Sequence, residues 1–139
     1  MQSYVLNLEC SKTGALYSAD QIHNLSDEEM PLLVRYDLKK IKREFSKDSW
    51  CMESAPGFWR YQVLLPVSKT ASKISLGEVV TPLIPLKGSS KKLGGKPGNI
   101  IVKDEGRLPT GSFKARGLAL AVSMAHQFGL KHLAIPTNG

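Results

Sequence analysis

Lys114 is the residue of this 139-residue chain whose neighbours most suggest chemistry: Pro109, Thr110, Gly111, Ser112 and Phe113 lead into it, and Ala115, Arg116 and Gly117 follow. Gly106-x-x-x-x-Gly111 makes most of a phosphate-binding Walker loop. That loop needs its lysine directly after the second glycine and a Ser or Thr after that, so that the amine reaches the outer phosphates and the hydroxyl a magnesium ion. Here Ser112 and Phe113 intervene, and Ala115 carries no hydroxyl. The nucleotide reading is weak. An amine for condensation with an aldehyde is the other chemistry a lysine offers. Ser112 suits a helix N-cap, with Pro109, Thr110 and Gly111 as the approach, which puts Lys114 in the first helical turn. A cation there opposes the helix dipole, which favours the free amine that such a condensation requires. From position alone, a lysine pointing to water accounts for the same residues.

The elements that must hold this segment are legible around it. "NIIVKDE" is a compact β-branched run, "SFKARGLALAVSMAHQFGL" repeats Phe113, Ala121, Val122, Ala125 and Phe128 at roughly helical spacing, and "HLAIP" reads as a buried strand. Strand, helix, strand over 99–135 predicts two parallel strands joined by a right-handed crossover, hence an α/β sheet. The chain ends just after that last strand, and the expectation is that it forms the front part of a larger protein. Upstream, "SYVLNLEC", "GALYS" and "PLLVRYD" predict a small β-rich segment over 1–35. A connecting region over 36–98 follows, with a short helix at 36–48 carrying Leu38, Ile41 and Phe45 on one face. "ESAPG" is a turn signal, and Trp59, Tyr61 and Leu64 are expected to pack in the core. "KGSSKKLGGKPG" (87–98) is biased toward a mobile loop.

Composition bounds the rest. With 42% hydrophobic and 22% charged residues, the chain can bury the core of one modest domain. No apolar run is long enough to span a bilayer, and "MQSYVLNLEC" lacks the features of a secretion signal, so the expected location is the cytoplasm. Cys10 and Cys51 are expected to be free thiols, and Cys10 with His23 leaves a tetrahedral metal ion short of ligands. The net charge of +7 raises a basic nucleic-acid-binding or interaction domain as the rival of another class. The lysines of 69–96 are however spaced by Pro, Gly and Ser without aromatics to stack on bases. Neither nucleic acid nor membrane is expected as a partner.

Three ordered motifs carry a resemblance: Gly-Glu-x-x-Thr-Pro-Leu (Gly77 to Leu83), Lys103-Asp104-Glu105, and the run Pro109 to Lys114. Their order and spacing resemble threonine synthase and its relatives among the fold type II pyridoxal-phosphate enzymes. The resemblance implies a tryptophan synthase β-like α/β fold with a parallel sheet, of which this is the N-terminal part. It implies pyridoxal 5'-phosphate as cofactor and conversion of O-phosphohomoserine and water to threonine and phosphate, a carbon–oxygen lyase reaction, with serine/threonine dehydratase or another β-replacement as alternatives. Lys114 would be the catalytic, cofactor-binding residue, Phe113 and Ser112 would wall the cofactor, and Lys103, Arg116 and Thr110 are substrate-contact candidates. A homo-oligomer is possible in the full-length protein, and the 139 residues alone are expected to be inactive. Departures from the family pattern are Ala115 and Val79, where many relatives have Asp and Gly. A paired Cys-x-x-Cys layout keeps only Cys10, opposite Thr13, so no metal is expected. The resemblance also implies a Ser/Thr-x-Gly-Asn loop whose asparagine meets the cofactor's ring hydroxyl, and Thr137, Asn138 and Gly139 stop one residue short of it.

Overall fold

The structure, a computed structural model, describes residues 4–46, 48, 57–68, 73–96 and 98–136. Cys51, residues 53–56 of the turn signal and Thr137 to Gly139 lie outside the described residues. The first element is a three-stranded antiparallel sheet of β1 (Val5–Cys10), β2 (Leu16–Tyr17) and β3 (Leu32–Tyr36), in the order β2-β1-β3. All three strands fall where the alternating runs place them. A forked ion pair of Arg35 with Glu9 (2.8 and 2.6 Å) ties β3 to β1 across the sheet. Cys10 is a buried free thiol that donates to the Ser26 hydroxyl at 3.2 Å. Hydrogen bonding from Ser26 and then Thr13 lowers it to about 7, against the burial that would raise it. Among the described residues no cluster of three or more His, Cys, Asp or Glu is arranged to hold a metal ion.

Helix α1 (Leu38–Glu44) begins where Asp37 accepts the Lys40 N–H at 2.8 Å, and Lys42 and Arg43 sit in its last turn, toward the negative end of the dipole. Of the expected apolar face, Ile41 is buried and Phe45 packs beside it, but Leu38 is exposed. A 3-10 segment, Gly57–Leu64, is the hub of the molecule. Its Val63 joins Tyr4 and Ile41 in one core cluster, and its Trp59 joins Val67 and Ala119 in another. Trp59 and Leu64 therefore pack as expected, whereas Tyr61 is exposed.

The rest of the chain departs from the sequence reading in two ways. Part of the stretch expected to be a mobile loop is helix α2 (Lys87–Lys92). Its buried Ser90 hydroxyl donates to the Leu86 carbonyl at 2.6 Å and accepts the Ile100 N–H at 3.1 Å, so a side chain closes a turn that composition alone reads as loose. The expected parallel sheet is not formed among the described residues. β5 (Ile101–Lys103) pairs antiparallel with β4 (Leu83–Pro85), and the expected strand at 131–135 has no ladder partner and is exposed. A parallel crossover needs an open edge and several pairing residues on each side, and β5 contributes three.

Helix α3 (Lys114–Gln127) matches the expected helix in place, and its buried face agrees with the expected one only in part: Ala125 is buried and Val122 and Phe128 are half-buried, as the spacing suggests. Ala115, Ala119, Ser123 and Ala125 are buried, while Phe113 and Ala121 are exposed. Small residues suit this face because Ala119 packs against Trp59 and Val67 and Ser123 bonds the main chain of Ile74. The helix closes with a Schellman motif: Leu130 N–H reaches the Ala125 carbonyl at 2.9 Å and Gly129 N–H the His126 carbonyl at 3.0 Å, with Gly129 at φ +75°. No helix among the described residues is long and apolar enough to cross a membrane.

Candidate functional site

The approach to Lys114 is a turn whose geometry follows from its residue types. Gly111 N–H bonds the Leu108 carbonyl at 2.7 Å, with Pro109 at the position where its fixed φ favours the turn and Gly111 at φ +67°. The Thr110 hydroxyl donates to the Ser112 carbonyl at 3.4 Å. Ser112 Oγ accepts the Lys114 N–H at 3.3 Å, and the Ser112 carbonyl accepts the Ala115 N–H at 3.2 Å, so the serine stands at the helix entrance, but the capping position itself is taken by Phe113 rather than by Ser112, the expected residue. Lys114 is the first residue of α3 and half-buried, and the Phe113 ring is exposed. The sequence thus delivers Thr110, Ser112, Phe113 and Lys114 as one contiguous unit.

The segment 74–81 lies along α3 as a strap with an anchor at each end. At one end the Ile74 N–H donates to Ser123 Oγ at 2.9 Å, and the buried Ser123 hydroxyl donates to the Ala119 carbonyl at 2.7 Å. At the other, Arg116 Nη2 donates to the Val79 carbonyl at 3.0 Å. Between them Glu78 is buried, accepting from the Ser75 hydroxyl and from the Leu76 N–H at 3.0 Å. Burial alone would raise its carboxyl, but these bonds outweigh it and the group lies below its ordinary range. A cavity of about 270 Å³ separates strap and helix, bounded by Ile74, Leu76, Thr110, Ala115, Leu118 and Val122.

Lys103 and Arg116, far apart in sequence, meet on one carboxylate. Arg116 grips Glu105 with a fork of 2.7 Å (Nε to Oε2) and 3.0 Å (Nη2 to Oε1). The Thr81 hydroxyl donates to Glu105 Oε1, and Lys103 Nζ lies 2.7 Å from Thr81 Oγ1 and 3.4 Å from Glu105 Oε1. Hydrogen bonds from Arg116 first, then Thr81, bring the Glu105 carboxyl down to about 2, and the same pairing raises Arg116. Arg116 is therefore neither a solvated charge nor a loose one: its side chain is only 20% exposed. Sequence reasoning missed Thr81 and Glu105 as site residues. Both lie inside motifs that it had singled out, but nothing in the spacing says that residues 81, 105 and 116 converge.

A model of the pyridoxal-phosphate dependent enzyme family matches residues 74–139, the span from the strap through α3. The threonine synthase of Methanocaldococcus jannaschii is 35% identical over 130 residues, which cover 94% of this chain and 31% of that protein. That of Methanosarcina acetivorans is 35% identical over 134 residues, covering 96% of this chain and 31% of that protein. The threonine synthase of Halalkalibacterium halodurans is 43% identical over 79 residues, 57% of this chain and 22% of that protein. The chain thus spans about a third of the length of the curated relatives that it matches along most of its own length. No solved structure matches it.

Proposed function

We propose, from the match of residues 74–139 to the pyridoxal-phosphate dependent enzyme family and the similarity of most of the chain to threonine synthases, that Lys114 is the lysine that carries pyridoxal 5'-phosphate in a threonine synthase-like enzyme. The reaction is conversion of O-phosphohomoserine and water to threonine and phosphate, a lyase step in threonine biosynthesis. The chain supplies the front part of that enzyme, and the parallel sheet of the fold type II architecture belongs to the whole protein.

The observation that carries this reading is the position of Lys114: a primary amine on the first residue of α3, half-buried, behind a turn that fixes its backbone. That donor fits covalent attachment of an aldehyde cofactor, which when bound supplies an electron sink for carbanion chemistry. Lys114 would hold the cofactor through its amine, and the same nitrogen would serve as the acid and base that moves protons between substrate carbons. Ser112 keeps the first turn in place by accepting the Lys114 N–H, and the exposed Phe113 ring offers an apolar wall. Thr110, exposed at the turn, is a substrate contact.

The test is made on the protein encoded by the full reading frame. Borohydride reduction with pyridoxal phosphate is expected to leave a pyridoxyl group on Lys114, located by peptide mass spectrometry. Phosphate release from O-phosphohomoserine should be lost in Lys114→Ala. Lys114→Arg should fail nearly as badly, because a guanidinium stays protonated and does not condense with an aldehyde. General acid–base help alone is worth ~10² to 10⁴ in rate. A pyridoxyl label confined to another lysine, or an active Lys114→Arg enzyme, overturns the assignment. Oxo-acid formation from serine or threonine without phosphate release from O-phosphohomoserine would make the protein a dehydratase.

A further inference from the structure

We infer that Glu105 is a positioning residue: clamped by Arg116 and Thr81, it sets the roll of α3 about its own axis and so the direction in which Lys114 leaves the helix. The inference rests on the proposed role of Lys114 and deepens it.

At 3.6 residues per turn, Arg116 and Ser123 lie on nearly the same line along α3, whereas Lys114 is about 200° round the axis from Arg116. The strap anchors, Ser123 to Ile74 and Arg116 to Val79, therefore hold one side of the helix, and Lys114 projects from the other. Ser123, Gln127 (which accepts the Ser68 N–H at 2.8 Å) and the packing of Ala119 on Trp59 and Val67 hold the rest of the helix, so Arg116 is the anchor that fixes the roll of the first turn, where Lys114 stands. The Arg116 anchor holds only if its guanidinium is itself oriented. Glu105 does this by occupying Nε and Nη2 together, a planar fork that a single hydrogen bond does not reproduce. Glu105 follows directly on β5 and Asp104, and Lys103 on β5 reaches back to Thr81 at the end of the strap. Helix, strap and strand thus meet on one carboxylate.

A helix of about 10–12 Å overall diameter puts its side-chain ends about 6 Å from the axis, so a roll of about 10° shifts them by about 1 Å. A shift of that size costs roughly a hundredfold in rate when reacting groups must be held in register. The low position of the Glu105 carboxyl, about 2, keeps the clamp charged throughout the range in which an enzyme works.

The experiment compares Glu105→Gln, Thr81→Val and Thr81→Ser with the unsubstituted full-length protein. Each is mixed with limiting pyridoxal phosphate, reduced with borohydride at timed intervals, and mapped by mass spectrometry; melting temperature is followed in parallel. Expected is labelling of Lys114 at least tenfold slower in Glu105→Gln and slowed in Thr81→Val, with the fraction of label on other lysines rising. Thr81→Ser, which keeps the hydroxyl on Glu105, should label like the parent. Cooperative melting at a temperature within a few degrees of the parent separates positioning from unfolding; if Glu105→Gln does not fold, Thr81→Val against Thr81→Ser decides. Labelling of Lys114 at the parent rate in Glu105→Gln or Thr81→Val overturns the inference and leaves the role of Lys114 standing. Absence of label from Lys114 in the unsubstituted protein removes both.

Discussion

At the residue scale, single atoms decide more than composition suggests. Gly57 has φ +67°, and a Cβ built there would lie 1.8 Å from the Glu78 carbonyl oxygen, which already accepts the Phe58 N–H at 3.1 Å. Gly57→Ala combines an unfavourable backbone with a clash against main chain that cannot yield cheaply, and is expected to destabilise by more than about 2 kcal/mol in urea unfolding. Gly117 is the opposite case. It lies inside α3 with nothing within 4 Å of a built Cβ, so Gly117→Ala should stabilise by about 0.5–1 kcal/mol. Glu105 gives a signed pH prediction. Its carboxyl falls from the ordinary 4.5 to about 2 on folding, so its contribution is complete above about 4.5 and drains away as pH falls toward 2. Acid unfolding of Glu105→Gln should lose that part of the slope between pH 4.5 and 2, with little difference in slope near neutrality.

At the scale of elements, short helices here are held by buried serines. Ser90 joins α2 to Ile100, and Ser123 joins α3 to Ile74; both are fully buried. Ser90→Ala would leave the Ile100 N–H without its hydroxyl partner, at a cost of roughly 1–3 kcal/mol. Hydrogen exchange should report it locally, with amides of 87–93 and Ile100 losing protection while those of α3 keep theirs. Ser26 does similar work in the N-terminal sheet, accepting the Cys10 thiol and the Met30 N–H, each at 3.2 Å. A six-residue helix and a three-residue strand cannot hold themselves by propensity, which is why these side chains matter.

At the scale of the whole molecule, the β4–β5 ribbon is covered on neither face. Leu83 and Ile101 point to one side and Ile84 and Val102 to the other, and all four are exposed, Leu83 at 63%. Leu76 and Leu93 add to the open apolar surface at 71% and 76%. So much uncovered apolar area favours association over a dispersed monomer. The 139-residue chain alone should show concentration-dependent association in sedimentation velocity. A Leu83→Ser, Ile101→Thr double variant should shift it toward monomer, and an unchanged distribution would place the association elsewhere. The net charge of +7 opposes association only weakly, being spread over lysines at the surface and screened by salt.

What could be read without coordinates is what neighbours in the chain decide among themselves. The turn of Pro109 to Gly111, the entrance serine and Lys114 at the head of a helix depend on local sterics and on hydrogen bonds reaching two to five residues, and the three N-terminal strands show in their alternating runs although their pairing is long-range. The motifs around Lys114 carried the resemblance for the same reason. The buried face of α3 was legible only in part, at Ala125, because the burial of the rest depends on a strap whose path is set by Ser123, Arg116 and the close approach of Gly57 to Glu78. Nor was the antiparallel pairing of β4 with β5, or the helix within 87–98, since each is closed by a bond to residues about ten or more positions away. The convergence of Thr81, Lys103, Glu105 and Arg116 was the least legible of all. A charge in sequence announces only that it needs a partner or water, and only the folded path of the backbone brings that partner within 3 Å.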